Sequence, residues 1–87
     1  MNFSAEELEI KNCILTLLKK RGPGKSICPS EVARKLYPDN WREKMENVRS
    51  TARIMAKGGE LRITQRDKEL DPDKIKGPIR LRFIETK

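Results

Sequence analysis

Two groups of side chains in this 87-residue chain have types and spacings that suit chemistry, and both suit the binding of anions. The first is Gly24-Lys25-Ser26, which ends like a phosphate-binding loop. The full pattern requires another glycine five positions before Gly24, where Lys19 stands, and a preceding strand, where this sequence reads as helix. Nucleotide hydrolysis is therefore excluded. Two readings remain open: backbone amides near Lys25 and Ser26 that hold an anion such as a DNA phosphate, or a rigid Gly-Pro-Gly turn that only places the next helix.

The second group is Arg42, Asn47, Arg49, Ser50, Arg53 and Lys57, on or beside the outward arc of one helix. Arginine and asparagine pair bidentately with guanine and adenine edges in a major groove, while Arg42 and Lys57 suit phosphates. Binding of this kind predicts that Arg53→Ala weakens a DNA complex more than Lys11→Ala. The same helix permits a plainer reading. Arg42, Glu46, Arg49 and Arg53 fall at i, i+4, i+7 and i+11, the spacing of a solvated ion-pair ladder, and Glu43 and Glu46 repel phosphates. Three further cations, Arg62, Arg80 and Arg82, alternate with apolar residues, where they grip phosphates or simply solvate a sheet.

Catalysis finds little support. The chain has no histidine, the usual general base, and Ser26, Cys28 and Ser30 have no base partner in the sequence. Cys13 and Cys28 form neither a zinc motif nor a CxxC pair. Cys13 is expected as a buried thiol and Cys28 in a structural role. An enzyme is not expected, nor a cofactor or metal.

The elements that must position these residues can be read from periodicity. Ser4 and Glu7 have the spacing of a capping box, opening a helix from about Ala5 to Lys20. Its Ile10, Cys13, Ile14 and Leu17 form one apolar face, and Leu8, Leu15 and Leu18 a second. Gly22 and Pro23 stop it, and Ser26-Ile27 allows a short extended piece. Pro29 suits the first position of a second helix that runs to about Tyr37. A third helix spans about Trp41 to Lys57, with Trp41, Met45, Val48, Ala52 and Met55 as its apolar seam and Ile54 facing outward. Gly58 and Gly59 end it. The period then becomes two: Leu61 and Ile63, and later Ile79, Leu81 and Phe83, read as two half-buried strands joined by the turn-rich stretch from Asp67 to Gly77. The expected fold is α+β, a winged helix-turn-helix of three helices followed by a two-stranded antiparallel wing, with residues 1–87 as one domain.

Charge sharpens the partner. The net charge is +7, and residues 19–66 carry thirteen basic against five acidic residues, a local excess that favours polyanions. The wing is close to neutral, since Asp67, Glu69, Asp71 and Asp73 face Lys68, Lys74 and Lys76, which argues against deep minor-groove insertion. The N-terminus lacks the arrangement of a signal peptide and no apolar run approaches a membrane span, so a cytoplasmic protein without membrane contact is expected.

The stretch from Arg21 through Gly22, Pro23, Gly24, Lys25, Ser26, Ile27, Cys28, Pro29, Ser30, Glu31, Val32 and Ala33 to Arg34 resembles the signature of a small bacterial winged-helix family of unknown function. Trp41-Arg42, Val48-Arg49, Gly59, Thr64-Gln65 and the run from Gly77 to Arg82 continue the resemblance in order. It implies the winged-helix fold and no particular activity. The functional expectation is a module that binds double-stranded DNA, with its third helix as reading head. Lys25, Ser26, Arg42, Asn47, Arg49, Ser50, Arg53, Lys57, Arg62, Arg80 and Arg82 are the candidate contacts. The competing expectation is a protein-interaction domain without nucleic acid, forming a homodimer or holding a protein partner through the first helix and Ile54.

Overall fold

The structure, a computed structural model, describes residues 3–84. Helix α1 covers Ala5–Arg21, and its capping box forms as the sequence requires: the Ser4 amide donates to Glu7 Oε1 (2.8 Å) and the Glu7 amide to Ser4 Oγ (3.1 Å). Strand β1 is Ser26–Ile27, α2 is Pro29–Leu36 and α3 is Trp41–Lys57. Glu31 caps α2 by accepting from the Cys28 amide (2.8 Å). Asn40 occupies the N-cap of α3 without a side-chain capping bond, and the Gly58 amide closes that helix by donating to the Ile54 carbonyl (3.0 Å).

Strands β2 (Leu61–Gln65), β3 (Lys68–Glu69) and β4 (Arg80–Phe83) follow, with a 3₁₀ turn at Pro72–Lys74. The expected pairing of the two longer strands is present, with Ile63 opposite Leu81 and Thr64 opposite Arg80. The expectation of two strands needs correction. The antiparallel sheet has four, in the order β1-β4-β2-β3. The extended piece at Ser26-Ile27 joins it beside Arg82 and Leu81, which satisfies the outer edge of β4. Nor is the stretch from Asp67 to Gly77 one loop. Arg66 and Asp67 make a two-residue hairpin turn with both φ values positive, 53° and 67°, the geometry a type I′ turn demands.

One core joins helices and sheet. Ile10, Ile14 and Leu18 of α1 meet Val32 and Ala33 of α2, Val48, Ala52 and Met55 of α3, and Ile27, Leu61, Ile63 and Leu81 from the inner face of the sheet. Burying each large apolar side chain favours the fold by about 1.5–3 kcal/mol. The buried face of α1 includes Leu18 rather than Leu17, because residues 10, 14 and 18 recur at one turn and stack in a single row. Ile54 is half-buried rather than exposed. Cys13 is buried, as expected, and burial pushes its thiol pKa upward.

Candidate functional site

Alternation along the strands places Ser26, Arg62, Thr64, Arg80 and Arg82 on the sheet face away from the core. Register then brings them together: Ser26 lies opposite Arg82, Arg82 opposite Arg62, and Arg80 opposite Thr64. Two of these cations are directly facing neighbours, an arrangement that costs stability unless something negative answers it. Arg62 has one distant answer, Glu69 at 3.9 Å.

An open hollow of about 370 Å³ lies on this face, floored by Ser26 and Thr64. Arg21, Lys25, Arg66, Arg80 and Arg82 converge on it, and Asp67 is the one carboxylate in its lining. The cations do different work. Arg80 holds the sheet together: its Nε donates to Ser26 Oγ (2.9 Å), Nη2 to the Ser26 carbonyl (3.1 Å) and Nη1 to Cys28 Sγ. Arg21 donates to the same carbonyl (3.0 Å) and pairs with Glu31. Burial pushes the Glu31 carboxyl pKa up, but the Cys28 amide and the Arg21 and Arg80 guanidiniums outweigh it and hold the group below its ordinary value. Arg82 gives one donor to the Gly24 carbonyl (3.1 Å). Among the described residues, neither Lys25 nor Arg66 has an ion-pair partner within 4.0 Å. The hollow thus retains an excess of positive charge over its one lining carboxylate, together with two hydroxyls.

A second hollow of about 580 Å³ adjoins the first and shares Arg66 and Arg80 with it. Its other walls are Cys28, Gln65, Pro78 and Ile79. Gln65 fixes this rim by donating to the Lys76 carbonyl (2.7 Å) and the Pro78 carbonyl (2.9 Å).

The residues expected to form a reading head on α3 are differently placed. Asn47 donates to Glu6 Oε1 (2.7 Å), beside a Lys44–Glu6 pair at 2.7 Å. The hydrogen bonds from Lys44 and Asn47 hold the Glu6 pKa below its ordinary value. Ser50 and Asn47 line a depression with Glu6, Glu7 and Glu46, a setting hostile to phosphate. Arg49 donates to the Gly77 carbonyl (3.1 Å), Arg53 to the Pro72 carbonyl (3.2 Å), and Lys57 pairs with Asp73 (2.6 Å). These three fasten the segment after β3 against α3. Arg42 and Arg34 lie over the Trp41 ring, at 4.6 and 4.3 Å from its centroid.

Of the sequence-derived candidates, the structure gathers Lys25, Ser26, Arg80 and Arg82 at one hollow, with Arg62 beside them. It leaves the α3 set apart, engaged within the fold. Sequence reasoning missed Arg21, Thr64, Arg66 and Asp67. The period-two pattern of Arg62 and Thr64, continued to position 66, was the available signal for Arg66. Among the described residues no group of three His, Cys, Asp or Glu side chains is placed to hold a metal, and no helix is long and apolar enough to cross a membrane.

Residues 7–84 match the family described as "Protein of unknown function (DUF3253)". No curated protein matches the chain.

Proposed function

The chain belongs to that family of unknown function, and from its own geometry we propose that it is a non-catalytic winged-helix module that binds the phosphate backbone of double-stranded DNA. The order of helices and strands, and the antiparallel pairing of β2 with β4, support the winged-helix reading. The observation that carries the function is the convergence of Lys25, Arg66 and Arg82 on one hollow with a single carboxylate in its lining. Phosphates release their counterions when such cations replace them, so affinity falls steeply with salt. The sheet and the β1 approach supply the contacts. The third helix contributes little base reading, because Asn47, Arg49 and Arg53 are engaged internally.

Anisotropy titration of labelled duplex DNA at several salt concentrations tests this. The expected result is binding at low salt whose logarithmic salt slope falls by about one in Lys25→Ala and stays unchanged in Lys35→Ala. Absence of binding at low salt sinks the reading. One observation favours a protein-binding role instead: Leu8 on α1 is 46% exposed. Dimers in sedimentation of a protein without DNA affinity would favour that alternative.

A further inference from the structure

The second hollow has no role in gripping a continuous duplex. A duplex presents phosphates outward and keeps its bases stacked inside, so a phosphate seated by Lys25 and Arg82 leaves the adjoining space empty. That space is the larger of the two, and its walls combine the exposed Pro78 ring with the Cys28 thiol and the Gln65 amide, Ile79 being buried beneath. The first hollow, by contrast, is lined chiefly by cations. Arg66 and Arg80 belong to both, so one ligand can meet the two guanidiniums from either side. Arg80 is fixed there by Ser26 and Cys28, and the rim is fixed by Gln65, so the wall between the hollows is preformed.

We propose that the paired hollows take one unpaired nucleotide. Its phosphate sits among Lys25, Arg66 and Arg82, and its base lies between the exposed Pro78 ring and the Arg80 guanidinium. The DNA selected is then one with a single-stranded overhang or junction rather than a blunt duplex. This rests on the phosphate-binding reading above and adds the base. With no aromatic ring in the second hollow, the gain belongs at the lower end of base-stacking effects, about fivefold in affinity.

The test uses the full chain and three labelled probes at one low salt concentration: a blunt duplex, the same duplex with a thymidine overhang, and the same overhang built from abasic residues. The thymidine overhang binds about fivefold tighter than the blunt duplex, and the abasic overhang loses most of that gain. Pro78→Ala, which removes part of the wall of the second hollow, reduces the gain while leaving blunt-duplex binding unchanged. Its folding is checked by circular dichroism. Equal binding of thymidine and abasic overhangs overturns the inference and leaves the phosphate reading standing. A folded Pro78→Ala that keeps the full gain overturns it as well. No binding of any probe overturns both.

Discussion

The outward face of the sheet and the polar flank of α3 carry the same kinds of side chain, yet they do opposite things. On α3, Arg49, Arg53 and Lys57 reach carbonyls and a carboxylate of the segment between β3 and β4, and Asn47 reaches Glu6. Their donors close the fold. On the sheet, register sets Arg62 against Arg82, while Lys25 and Arg66 converge on the same surface with little acidic answer. A cation that a fold needs finds a partner within it. Cations gathered at a cost in mutual repulsion point to a partner outside.

The comparison can be broken most sharply at Arg80, which belongs to both categories. Arg80→Met removes three donors from Ser26 and Cys28 in a half-buried setting, and an expected loss of about 2–3 kcal/mol in urea unfolding follows. A loss below about 0.5 kcal/mol would return Arg80 to the ligand-facing class. Arg53→Ala is next. It should cost about 1 kcal/mol of stability through the Pro72 carbonyl and leave the salt slope of DNA binding unchanged. A slope reduced as in Lys25→Ala would put the third helix back on the DNA.

Asp67→Gly sharpens the sheet side. Glycine accepts the positive φ of this turn position, so stability should rise by about 0.5–1 kcal/mol in thermal unfolding. The same change removes the carboxylate from the hollow, so DNA affinity should rise too. Weaker binding would show that Asp67 positions a ligand.

The smallest effect concerns acid. Glu6 on the helical side and Glu31 on the sheet side are both held below their ordinary value of 4.5 by hydrogen bonds and nearby cations. Their contributions are present above the unfolded value and are lost as pH falls through the lower, folded values. Urea midpoints measured from about pH 5 to about pH 3 should fall, less steeply in Glu6→Gln and in Glu31→Gln. If only Glu31→Gln flattens the profile, the Lys44 and Asn47 contacts of Glu6 are not holding α3 in solution. The Tyr37 pKa is pushed up to about 12 by burial and by Glu6 and Glu9, so its contribution to stability is present below its ordinary value of 10 and is lost as pH rises towards the folded value.

The helices were legible because their signals are local. The Ser4–Glu7 capping box, Pro29 at a helix start and the 4-3-4-3 spacing from Trp41 to Met55 need no distant partner. Strand parity was legible for the same reason, which is why Arg62, Arg80 and Arg82 could be assigned outward. The candidate site was legible only in part. Lys25 and Arg82 lie far apart in the chain, and nothing local says that β1 pairs with β4 and brings them together.

The sequence by itself determined the three helices, the two longer strands and the outward or inward sense of those strands' residues, since these follow from periods of 3.6 and 2. It also determined the excess of positive charge. Tertiary structure alone decided which cations find a partner within the fold and which are left without one. Hydrogen bonds and ion pairs are short-ranged, so the fate of Arg53 depends on a carbonyl 19 residues away and that of Arg80 on a serine 54 residues away.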